Sequence, residues 1–145
     1  MRSARILLAL AACAGACAQT ASQTSLRVYL MTACGAPDAG RHIAAGCLEK
    51  TPFLTERDVQ YAEVQKNGKG QPMIFITFLR DAAVRELNVT LKNIGNRVAI
   101  LVDGKVLSTP MIASGSRQLY IESDFTEKQA ETLAKALNRV ADRHR

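Results

Sequence analysis

Two cysteines, Cys34 and Cys47, bracket the run CGAPDAGRHIAAGC, with His42 between them. Thiols so placed have two chemistries open to them: a disulfide in an oxidising compartment, or metal ligation by two thiolates and an imidazole. The spacing is not CxxC, and three ligands fall short of a closed tetrahedral set, so the disulfide is the expectation and no metal site is. The rest of the chain lacks the inventory of a catalytic centre. There is no GxSxG and no HExxH, and the serines around Gly115 sit in a turn without a recognisable base. Gly68-Lys69-Gly70 is too short to cradle a phosphate and leads into a strand, whereas a phosphate loop opens a helix. Glu122 and Asp124 stand just ahead of a helix, where carboxylates ordinarily complement the N-terminal dipole. Neither catalysis nor a cofactor is expected.

The most informative run is VAILVDGKVLSTPMI, residues 98–112. An apolar strand meets Asp103-Gly104, a dipeptide suited to the left-handed angles of a two-residue hairpin turn. The returning arm reaches Pro110, which cannot donate to a ladder and so belongs at a strand end, a bulge or an edge. Asp103, Gly104 and Pro110 therefore read as hairpin structure. Leu107, Ser108, Thr109 and Met111 read as a candidate edge onto which an extended peptide adds as a strand.

What positions this hairpin is one ordinary domain, since 145 residues and 15.7 kDa suffice for a single core. The leader MRSARILLALAACAGACAQT places Arg2 and Arg5 before a short apolar run and then small residues, the layout of a secretory signal over residues 1–18. Cleavage after Ala18 leaves Gln19 first. A lipoprotein signal is the competing reading, with acylation at Cys13 or Cys17. The apolar run is shorter than the roughly 20 residues a spanning helix needs, so no membrane span is expected, only a lipid anchor on the second reading. The chain carries 19 Lys and Arg against 13 Asp and Glu, and cleavage removes two arginines, taking +6 to +4. That mild charge, with three Tyr, four Phe and no Trp, argues against a nucleic-acid partner.

Residues 19–25 are small and polar and read as a tether; residues 26–142 read as the domain. Leu26, Val28 and Leu30 alternate with polar or larger neighbours, a half-buried strand ending near Cys34. Thr55 caps a short helical turn. Strands over 61–66 and 72–79 flank Asn67-Gly68-Lys69-Gly70 as a hairpin. Asp81 is expected to cap a helix whose Val84, Leu87, Leu91 and Ile94 face the sheet, with Gly95 turning the chain afterwards. After the 98–112 hairpin come a turn at Ser114-Gly115-Ser116, a strand over 118–122, and a capping box from Thr126 to Gln129. The last helix buries Ala130, Leu133, Ala134, Leu137, Val140 and Ala141. The expectation is α+β: a single domain, a mainly antiparallel sheet and two principal helices packed on it.

These segments also carry a resemblance. FLTERDV, NIGNRVAILVDGKVLSTPMI and FTEKQAETLAKALN, with SLRVYLM before them, resemble the head subdomain of the first large periplasmic domain of SecD and SecDF, accessory subunits of the Sec translocation channel. The matching positions include Leu54, Thr55, Asp58, Asn93, Gly95, Asp103, Gly104, Pro110, Phe125, Thr126 and Ala130. The resemblance covers about residues 25–138. Glu56 stands where the family has glycine, and Ala113 to Arg117 replaces its glycine-rich turn. Neither the family's transmembrane helices nor its base subdomain is matched. The resemblance implies an exported, non-catalytic module of the periplasm that binds unfolded or translocating polypeptide, with the Sec machinery as a candidate partner. The alternative is a structural adaptor or small lipoprotein, docked on a folded cell-envelope complex and lipid-anchored to a bacterial membrane.

Overall fold

The computed structural model describes residues 23–32 and 45–144. The expected leader with Cys13 and Cys17, most of the expected tether, Cys34 and His42 lie outside the described residues. Seven strands and two helices follow in chain order: β1 (Leu26–Leu30), β2 (Leu54–Thr55), β3 (Val59–Lys66), β4 (Pro72–Phe78), α1 (Arg80–Lys92), β5 (Val98–Val102), β6 (Lys105–Ser108), β7 (Gln118–Glu122) and α2 (Glu127–Arg143). The fold is α+β and every strand pairing is antiparallel. The strands divide between two sheets, ordered β2-β1-β5-β6 and β3-β4-β7. Period-2 patterning says which face of a strand is buried and nothing about which strand lies beside it, so the division was not legible in advance.

One core joins the sheets. Leu26, Val28 and Ile100 from the first pack with Ile74, Ile76 and Ile121 from the second, and α2 adds Ala130, Ala134, Leu137 and Ala141. α2 forms as expected: Gln129 N–H donates to Thr126 Oγ1 at 3.2 Å, and Thr126 N–H donates to Gln129 Oε1 at 2.8 Å, so the capping box closes its first turn. Asn67 shapes the β3–β4 turn through its Oδ1, which accepts from the N–H groups of Lys69 and Gln71.

α1 departs from expectation in its cap and in its rotation. Leu79, not Asp81, is the N-cap, and it makes no side-chain capping bond. The buried face is Ala82, Glu86 and Thr90, while Val84, Leu91 and Ile94 are exposed. Polar links fix this rotation. Arg85 Nε donates to Phe53 O at 2.8 Å and its Nη2 meets Asp58 Oδ1 at 2.6 Å on one side. Ser116 N–H donates to Thr90 Oγ1 at 2.9 Å on the other. The segment after the hairpin thus lies across α1, and a Cβ on Gly115 would stand 2.6 Å from Leu91 Cδ2. Glu86 is 2% exposed, its Oε2 has no hydrogen-bond partner, and burial lifts its carboxyl to about 7.

Candidate binding edge

The hairpin of residues 98–112 forms around Asp103 (φ 50°) and Gly104 (φ 76°), both in the left-handed region that a tight two-residue turn requires. Asp103 has a second task. Ser25 N–H donates to its Oδ1 at 2.8 Å, and Asp103 N–H donates to Ser25 O at 3.0 Å. The last residue of the expected tether is therefore fastened to the tip of the hairpin.

β6 is an outer strand of its sheet. Its ladder with β5 is irregular, because Ile100 pairs with Ser108 but Leu101 pairs with Val106, leaving Leu107 as an extra residue. Leu107 packs on the core. Ser108 Oγ is buried without a hydrogen-bond partner. Beyond the strand, Val98 N–H donates to Pro110 O at 3.1 Å, and Pro110 has no N–H to return the bond. Ile112 N–H donates to Asn96 O at 2.8 Å. These two bonds flank the Arg97–Met111 bridge, which turns Met111's own N–H and C=O away from β5. Met111 is 57% exposed. Thr109 O, in contrast, accepts from Arg97 Nη1 at 2.8 Å.

The four edge residues read from sequence thus differ. Met111 presents both backbone and side chain outward, Thr109 has its carbonyl occupied, and Leu107 and Ser108 turn partly inward. Arg97 escaped the sequence reading because a lone arginine before a strand carries no motif. On β3, Asn138 pairs with Ala62 and occupies that residue's backbone groups, through Asn138 Oδ1 on Ala62 N–H and Asn138 Nδ2 on Ala62 O, both 2.8 Å. Its signal was available: an amide within the apolar stripe of α2. β6 and β7, the outer strands where the two sheets approach, come within 8 Å between Cα atoms but share no ladder.

Cys47 is disulfide-bonded. Among the described residues no three His, Cys, Asp or Glu side chains gather to hold a metal, and no helix is long and apolar enough to cross a membrane.

Comparison with known proteins fits this geometry. The family model "SecDF, P1 head subdomain" matches residues 33–141. The SecD subunit of the protein translocase from Acidaminococcus fermentans is 33% identical over 91 residues, 60% of this chain and 21% of that protein. SecD from Aquifex aeolicus is 38% identical over 88 residues, 60% of this chain and 18% of its own length. The chain thus spans about a fifth of these relatives. A solved SecDF, described as a membrane component that enhances protein export, superposes with a TM-score of 0.69 at 25% identity, covering 79% of this chain and 62% of that one. A SecDF solved in a super-membrane-facing form gives 0.70, with 79% and 18% covered. With the family model spanning most of its length and the fold shared with solved relatives, the chain belongs to the SecDF P1 head subdomain family.

Proposed function

We propose that this chain is an exported, non-catalytic protein-binding module, and that it takes an extended stretch of unfolded or translocating polypeptide along the rim formed by Leu107, Ser108, Thr109 and Met111. The observation that carries the reading is the outward N–H and C=O of Met111 beside an exposed side chain, the pairing groups that an added strand uses. Ala62 of β3, whose backbone groups Asn138 occupies, supports it by contrast. The P1 head of SecD is a periplasmic part of a membrane protein of the export machinery, which supports a periplasmic site of action and the Sec machinery as neighbour. Residues 1–18 serve as the leader in this reading, with acylation at Cys13 or Cys17 as the competing maturation, and Cys47 pairs with Cys34.

A photo-crosslinking residue at position 111, activated in living cells, tests the binding. Many heterogeneous client bands are expected. A single stoichiometric folded partner would replace this reading with that of a structural adaptor on a cell-envelope complex. Intact mass of the envelope fraction reads the maturation: a chain starting at Gln19 is expected, and a diacylglyceryl adduct on either cysteine establishes the lipoprotein instead.

A further inference from the structure

The sheet β3-β4-β7 has a second face, turned away from the core. Ile74, Ile76, Leu119 and Ile121 point inward, so the alternate residues of the three strands point out. The register sets them in three rows of three, with Glu63, Phe75 and Tyr120 in the middle row. Phe75 and Tyr120 are cross-strand partners whose ring centroids lie 5.0 Å apart at an interplanar angle of 39°. Tyr61 and Tyr120 are 49% and 46% exposed. Met73 and Glu122 pair in the adjoining row.

Aromatic rings on an open sheet would suit stacked nucleobases if basic side chains flanked them. Here the sign is reversed. None of the nine outward side chains is Lys or Arg, although the whole chain carries +6. The charged members are Glu63 and Glu122, and Gln65 Nε2 donates to Glu63 Oε1 at 2.6 Å. The nearby cation Lys66 is held on α2's side of the sheet, with Nζ 3.7 Å from Glu127 Oε1.

We infer that this aromatic and acidic face is a docking surface for a cationic polypeptide segment. The rings take the aliphatic stems and charged heads of Arg or Lys through cation–π contact, while Glu63 and Glu122 complement the charge at either side. The surface is separate from the Met111 rim and needs no strand addition. It therefore stands or falls independently of the edge.

The test is a titration of the ¹⁵N-labelled chain with an unstructured peptide alternating Arg and Val, beside a control with Glu in place of Arg. Amide shifts centred on Phe75 and Tyr120 are expected, for the Arg peptide alone, fading as salt is raised. The double variant Glu63→Lys with Glu122→Lys should weaken binding by about tenfold or more, and Tyr120→Ser similarly, with thermal midpoints showing that each variant is folded. Met111→Lys should leave this binding unchanged, since the rim lies on the other sheet. Shifts confined to residues 105–112, equal binding of the Glu peptide, unchanged affinity in the folded charge-reversed variant, or no shifts at all would each overturn the inference.

Discussion

Asn138 on α2 brackets Ala62 on β3, accepting from its N–H and donating to its C=O at 2.8 Å each. One side-chain amide stands in for a missing neighbouring strand. Replacing it with leucine keeps the volume similar and leaves two part-buried backbone groups unpaired, so Asn138→Leu should destabilise the protein by about 2 kcal/mol or more in denaturant unfolding. It should also bare β3 at Ala62, and sedimentation should then detect more self-association than in the parent.

Gly104, at φ 76°, leaves no comfortable conformation for a β-branched residue. Gly104→Val should lower stability by on the order of 1 to 3 kcal/mol through backbone strain alone, since no atom lies within 4 Å of where the new Cβ would sit. A melt matching the parent's would show that the turn is not strained by the substitution.

Sequence alone placed Leu107 and Met111 together on the edge, and the structure separates them. Leu107→Lys should lose roughly 1 to 3 kcal/mol, because it forces a charge against the core, whereas Met111→Lys should stay within about 0.5 kcal/mol of the parent. Thermal melting beside a client-binding assay distinguishes the two: Met111→Lys should bind less while remaining folded.

Glu86 supplies the pH dependence. Burial disfavours the charged form and lifts its folded carboxyl from the ordinary 4.5 to about 7. The folded state therefore holds a proton that the unfolded state has released. Stability from this group is full at low pH and is lost as pH rises from about 4.5 to about 7, by on the order of 3 kcal/mol. Glu86→Gln should flatten that slope, and denaturant midpoints taken below about pH 5 and above about pH 8 should converge for the variant.

Strands were legible wherever one face is apolar and the other not, as in Leu119 and Ile121 of β7, and α2 was legible because its cap and its stripe agree. α1 misled for a physical reason. Val84, Leu87 and Leu91 make an apolar stripe on it, with Ile94 just past its end, but the links from Arg85 to Phe53 and Asp58, and from Thr90 to Ser116, turn Ala82, Glu86 and Thr90 inward. Such links join residues far apart in sequence, and periodicity cannot register them. The same holds for the candidate site. Asp103-Gly104 and Pro110 announced the hairpin, while Arg97 on Thr109 and the outward bonding of Met111 emerged only with the register.

The clasp between Ser25 and Asp103 also decides how the domain would bear tension. A pull arriving from the N-terminal side meets the tip of the hairpin first, then β1, which is held between β2 and β5. Five register pairs tie β1 to β5 and two tie it to β2. Force along β1 loads these rows in parallel, as shear, rather than opening them one at a time like a zip. β5 shares this load and carries β6 and the Met111 rim along its other side, so the rim is backed by the strand row that resists the pull.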